Sequence, residues 1–197
     1  MCIRDRALSL KSGKPVKLVM TRDEVFKATG PTVSSSMDVK IGMTKDGIIT
    51  AGEAHLRYQG GAFPNGTVEM GAQSAFAAYD LKAVRTKGWN VLTNRPKQAA
   101  YRAPGAPQAI YAVESVVDEL CQKLNLDPLE IRIKNAAKKG TKSSYGPTFD
   151  DIGLIATLEA AKKHPHYLAP LADNQGRGLS CGFWFNFGGD TCVTLNV

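Results

Sequence analysis

The sequence predicts an α+β fold of mixed sheets with packed helices. Three observations carry this. Alternating, β-rich segments occupy the first half, Lys45-Asp46-Gly47 marks a hairpin turn between two of them, and amphipathic helical stripes follow before alternation returns. Residues 7–11 sit in helical phase, and Ser12-Gly13-Lys14-Pro15 stops them. Residues 16–20 read as a strand. Thr21 is an N-cap with Glu24 closing a capping box on a short helix over 22–26. Residues 37–43, 48–58 and 82–91 read as strands, with Asp46-Gly47 supplying positive φ angles between the first two. Residues 68–78, rich in Gly, Ala and Ser, fit either a tightly packed helix or a loop.

The centre, residues 94–108, holds three prolines and one glycine and reads as an ordered, irregular loop. It runs into a helix with Pro107 in the first turn and an apolar stripe of Ile110, Val113, Val116, Val117, Leu120 and Leu124. A second helix starts at N-cap Asp127, with Pro128 in its first turn and Glu130 completing the box. A third spans 152–163 behind Asp150 and Asp151. Strand returns around 177–179, and again at 191–197 after the aromatic stretch of Phe183, Trp184, Phe185 and Phe187.

The chain has 197 residues, 43% of them hydrophobic and 22% charged, which excludes disordered, collagen-like and coiled-coil classes. No apolar run reaches the roughly 18 residues of a membrane span, and no signal peptide is legible. The net charge of +7 is dispersed, which fits a solvated face or an anionic ligand or partner. Cys2, Cys121, Cys181 and Cys192 show no metal-ligand spacing, and neither do His55, His164 and His166; buried thiols in a reducing, cytoplasmic setting are expected. Residues 1–6 look foreign and adapter-like, residues 7–175 form a first domain, and 176–197 begin a second; the chain reads as a fragment.

Chemistry concentrates where the central loop meets its helix. Arg102 and free N–H groups at a helix N-terminus converge there, an arrangement that favours a phosphate or a metal-bound oxygen or sulfur. Ala103, Gly105 and Ala106 permit close backbone approach. The competing reading pairs Arg102 with Glu114 or Asp118. Glu53 and Glu69 are possible acid–base groups or plain surface carboxylates, and the Phe183–Phe187 aromatics wall either a pocket or a core. Serine-hydrolase, Walker, zincin and Rossmann motifs are missing from the sequence.

Asn94-Arg95-Pro96, Ala100-Tyr101-Arg102-Ala103-Pro104-Gly105-Ala106-Pro107-Gln108, Glu114, Asp118-Glu119, Asp127-Pro128-Leu129-Glu130-Ile131-Arg132 and Lys134-Asn135, with Lys14-Pro15-Val16-Lys17 and Thr21-Arg22-Asp23-Glu24 upstream, resemble the molybdenum hydroxylases. The matching part is the large, molybdopterin-binding subunit of the xanthine dehydrogenase and aldehyde oxidase family. The resemblance implies hydroxylation, or in some members reduction, of an aldehyde or aromatic carbon at a molybdenum centre. Electrons would pass through Fe–S clusters to FAD on partner subunits or domains.

It implies a cofactor contact at Arg102, with Ala103 and Gln108 in the same motif, and a substrate side at Pro104, Glu69 and Met70; the close backbone approach at Gly105 adds that residue to the cofactor set, and the aromatic stretch adds Phe185 to the pocket. Purine-oxidising members carry Arg where Met70 aligns and a stacking Phe at Pro104; carbon-monoxide-oxidising members carry Cys at Ala103. The departures point to aldehydes, N-heteroaromatics or aromatic acyl-CoA thioesters. The resemblance further implies the cytosine dinucleotide form of molybdopterin, an iron–sulfur subunit, an FAD subunit and a dimer of heterotrimers. It puts a Gly-rich cofactor loop before Ala7 and the catalytic glutamate beyond Val197. The chain by itself is therefore expected neither to hold the cofactor nor to turn over. The alternatives are a basic, non-enzymatic module for nucleic acid or an acidic partner, and a pseudo-enzyme assembly subunit.

Overall fold

The computed structural model describes residues 2–30, 32–64 and 66–185. The predicted strand at 191–197, Phe187 and Cys192 lie outside them. Helices α1 (Cys2–Ser12) and α2 (Arg22–Ala28) precede strands β1 (Ser35–Met43) and β2 (Ile49–Gly61); α3 (Val68–Ser74), β3 (Ala83–Leu92), α4 (Ala106–Leu124), α5 (Pro128–Asn135), α6 (Leu154–Lys163) and α7 (Pro165–Leu168) follow. The strands form one sheet in the order β1-β2-β3, antiparallel between β1 and β2 and parallel between β2 and β3. Period-2 alternation turns Leu56 and Tyr58 of β2 into the core, where Val113, Val117 and Cys121 of α4 and Phe76 after α3 meet them.

Local chemistry decides several boundaries. The Thr21–Glu24 capping box forms. Asp127 caps α5 by accepting from the Leu129 and Glu130 N–H groups. The Glu130 carboxylate leaves that box for Lys162, 2.5 Å away on α6. At the hairpin only Gly47 takes a positive φ, with its N–H donating to the Thr44 carbonyl, so Asp46 stays in ordinary backbone. Asn135 fastens α5 to this turn: its amide donates to the Gly47 carbonyl and accepts from the Ile49 N–H, both at 2.8 Å.

Four expectations are corrected. Residues 16–20 keep an alternating half-buried pattern but form no ladder, because a strand needs a partner and this segment lies instead against α1 and α2, with Leu18, Val19 and Met20 beside Arg4, Glu24 and Ala28. Residues 177–179 are not a strand either: Arg177 donates to the Tyr167 and Ala169 carbonyls, and the segment runs on to α4, where the Cys181 N–H reaches Glu114. The buried stripe of α4 is rotated to Ala109, Val113, Val117 and Cys121, leaving Ile110, Val116, Leu120 and Leu124 half-buried; the partner sheet rather than the helix's own hydrophobicity sets the facing. Helix α6 begins at Leu154 behind Gly153, and neither Asp150 nor Asp151 caps it.

The strongest tie in the helical half is a buried ionic cluster. Arg132 of α5, fully buried, donates at 2.8 Å to Glu114 and at 2.8 Å to Asp118. The Tyr79 hydroxyl also donates to Glu114, and the Cys181 N–H does so at 2.7 Å. Burial, followed by the Glu114 carboxylate, pushes the Cys181 thiol up to about 11, against an opposing pull from Arg132. Burial raises Cys121 as well. Both thiols are therefore protonated at pH 8 and shielded. Iodoacetamide is expected to leave Cys121 and Cys181 unmodified in the folded protein and to alkylate both in denaturant, read by peptide mass spectrometry; rapid labelling of either in the folded state would contradict the burial.

Candidate functional site

Residues 94–105 form the expected irregular loop, and neighbouring elements hold it from three sides. The Ala62 N–H donates to the Arg95 carbonyl at 3.0 Å. Thr67 donates its hydroxyl to the buried Gln98 amide at 3.3 Å. The fully buried Tyr58 of β2 donates to the Gly105 carbonyl at 2.7 Å. Glycines make these approaches possible. A side chain on Gly30 would run into the Lys97 carbonyl, and one on Gly71 would sit 2.8 Å from both the Gly105 carbonyl and the Tyr58 hydroxyl.

At the loop's end the backbone is bent hard. Ala103 has φ 51° and Gly105 φ 88°, flanking Pro104. Ala103 lacks the side-chain amide that eases this conformation at Asn125 and Asn174, so its left-handed backbone is strained and held by the surroundings. Gly105 is the N-cap of α4 and offers no side chain to cap it. The first-turn N–H groups thus lack the usual Ser, Thr or Asp partner, and the positive end of the helix dipole is left uncovered.

Arg102 is exposed and makes no ion pair or hydrogen bond among the described residues. The alternative partners are taken: Glu114 and Asp118 belong to Arg132. Gln108 donates its Nε2 to the Tyr101 hydroxyl at 2.6 Å, while its Oε1 is buried without a partner. The stretch 94–108 contains Arg95, Lys97 and Arg102 and no carboxylate. An unpaired guanidinium and an uncapped helix start can donate to phosphate and carbonyl oxygens, and the open Gln108 Oε1 can accept from a ring N–H, so these residues fit molybdopterin.

The substrate-side residues divide. Glu69 and Met70 lie in the first turn of α3, two residues and one residue from Gly71 and its contact with Gly105, so the fold brings them to the loop. Glu69 is exposed and accepts from Gln73; Met70 is half-buried. Phe185 packs instead in an aromatic cluster, with ring centroids 5.2 Å from both Tyr145 and Phe183. A cleft of about 1020 Å³ opens on the loop's other flank, lined among others by Gly30, Thr67, Lys97 and Gln98. Neither these residues nor Tyr58 is legible in the sequence as part of the site. Glycine pairs such as Gly60-Gly61, which admit a crossing backbone, were the only local signal.

Comparison with known proteins bears on this geometry. The chain is similar to the aldehyde oxidoreductase of Desulfovibrio gigas, with a TM-score of 0.73 and 30% identity over 82% of this chain and 18% of that one. Quinoline 2-oxidoreductase from Pseudomonas putida 86 shares the fold at TM-score 0.73 and 24% identity, over 80% of this chain and 21% of that one. The architecture is thus that of the molybdopterin-binding part of such oxidoreductases. The nicotinate dehydrogenase large molybdopterin subunit of Eubacterium barkeri is 32% identical over 160 residues, 79% of this chain and 38% of that protein. Residues 6–136 match the molybdopterin cofactor-binding domain family, and the chain belongs to it. It spans less than two fifths of the length of each of these relatives. Among the described residues no helix is long and apolar enough to cross a membrane.

Proposed function

We propose that this chain is part of the catalytic subunit of a cytoplasmic molybdenum hydroxylase. Its substrate would be an aldehyde, an N-heteroaromatic or an aromatic acyl-CoA thioester, oxidised or reduced at carbon. The observation that carries the reading is the unpaired Arg102 beside the strained, uncapped start of α4. When bound, molybdopterin, in our reading the cytosine dinucleotide form, supplies two-electron chemistry at its metal, with electrons passing to Fe–S and FAD partner subunits.

The chain's own residues hold and orient. Arg102 provides a fixed positive charge and a fork of donors. Gln108 offers its unpartnered amide oxygen, oriented by Tyr101. Ala103 and Gly105 let the ligand approach the backbone. Pro104, Glu69 and Met70 are assigned to the substrate side, whereas Phe185 stays with Tyr145 and Phe183. The general base is a glutamate outside these residues, on a longer polypeptide.

The test begins by sequencing the source DNA outward from both ends of the frame, then producing the full polypeptide with its partner subunits. Arg102→Ala is expected to cut turnover about 100-fold, or to strip molybdenum from the enzyme, since one lost donor at a reacting centre commonly costs that much. A variant within twofold of the parent in both turnover and metal content would overturn the assignment. Start and stop signals bracketing residues 1–197 would overturn the catalytic reading itself.

A further inference from the structure

The sheet has a second face, which the site does not use. Parallel strand pairs are normally covered on both sides, yet the outward positions of the parallel pair β2–β3 are exposed or half-exposed along its length. Register places Arg57 beside Trp89, His55 beside Lys87 and Glu53 beside Arg85 on this face, with Lys40 of β1 beside Glu53. Four cations therefore gather from three strands.

The only carboxylates among these outward positions, Asp38 and Glu53, are engaged by Arg57 at 2.7 Å and by Arg85 at 3.8 Å. Lys40 and Lys87 keep no ion-pair partner among the described residues. Trp89, 43% exposed, is held with its ring under Arg57 at 5.5 Å and edge-on to His55 at 5.7 Å. Val91, two residues along the same strand, is also exposed. A pre-positioned tryptophan beside an arginine is the composition of a binding hot spot, and the free lysines around it suit a charged rim.

We infer that this outer face docks an acidic surface of a separate protein chain, with carboxylates meeting Lys40 and Lys87 around a contact centred on Trp89. Charge complementarity selects the acidic partner. The mixture of four cations with one Trp and one Val is too polar for an obligate, core-like interface and fits a separable partner. Nucleic acid fits less well: base-stacking platforms present two or three aromatic rings, whereas here one indole has a face already covered by Arg57. The inference does not depend on the molybdenum reading.

The test uses the native complex from cells that make this protein. A carbodiimide joins lysines to carboxylates in direct contact, and peptide mapping locates the links. Lys40 or Lys87 is expected to couple to Asp or Glu of a different polypeptide, and Trp89→Ala to lower that yield at least tenfold. Trp89 lies outside the core, so circular dichroism and the thermal midpoint check that the variant folds. Four results would overturn the inference: coupling only within the same polypeptide; no coupling with both lysines freely acetylated; protection of the lysines that nuclease removes; or a yield that Trp89→Ala leaves unchanged.

Discussion

Arg132→Met is expected to destabilise the protein by about 3–5 kcal/mol, the scale for stripping one partner from a buried ion pair. Arg132 has no exposed side-chain surface and serves both Glu114 and Asp118. Methionine fills much of its volume, so packing changes little. What remains is the Glu114 carboxylate, 6% exposed, with the Tyr79 hydroxyl and the Cys181 N–H as donors but no positive charge. Domains of this kind hold about 5–15 kcal/mol in total, so the variant should lose about a fifth of its stability or more. Its thermal midpoint should fall by roughly 6–20 °C.

A second variant separates charge from shape. Glu114→Gln in the Arg132→Met background keeps an acceptor for Tyr79 and Cys181 while removing the uncompensated charge. Asp118 is 40% exposed and can be solvated. The double variant should regain more than half of the loss in denaturant unfolding. A single-variant cost below about 1 kcal/mol would mean the cluster does not hold α4, α5 and the 177–181 segment together.

That cluster also marks where reading the sequence runs out. The Thr21 and Asp127 caps and the turn at Gly47 were legible because their chemistry completes within four residues. The central loop was legible for the same reason: Pro96, Pro104, Gly105 and Pro107 forbid regular structure over a short stretch. Along the sequence Glu114 and Asp118 read as alternative partners for Arg102, not for Arg132, because which cation reaches them depends on how α5 crosses α4. Tyr58 was invisible as a support of the loop, lying 47 residues from Gly105. The expected strand at 16–20 failed for a related reason, since alternation reports a half-buried extended segment whether or not a partner strand is present. The gathering of Lys40, Arg57, Lys87 and Trp89 exists only once the strands pair in register; along the sequence the same charges read as dispersed.

Gly105→Ala tests the loop from the opposite direction, by adding a single carbon where both backbone and packing forbid it. At φ 88° any L side chain is strained, by about 1–2 kcal/mol. The new carbon would also overlap the Thr67 carbonyl oxygen. Either α3 withdraws or Gly105 rotates, and rotation breaks the Tyr58 bond to the Gly105 carbonyl, worth about 1 kcal/mol. The expected loss is about 2–3 kcal/mol in denaturant unfolding, by adding these two costs. Ala103→Gly, two residues away, should do the reverse locally, because it relieves a left-handed alanine at φ 51°; it is expected to leave stability unchanged within about 1 kcal/mol. In the full enzyme the two variants should also part functionally. A displacement of about 1 Å at a positioning loop can cost on the order of 100-fold in rate, so Gly105→Ala should lower turnover on that scale while Ala103→Gly does not. Equal stability and equal turnover for Gly105→Ala and the parent would show that the bend at Ala103–Gly105 is incidental to holding the ligand.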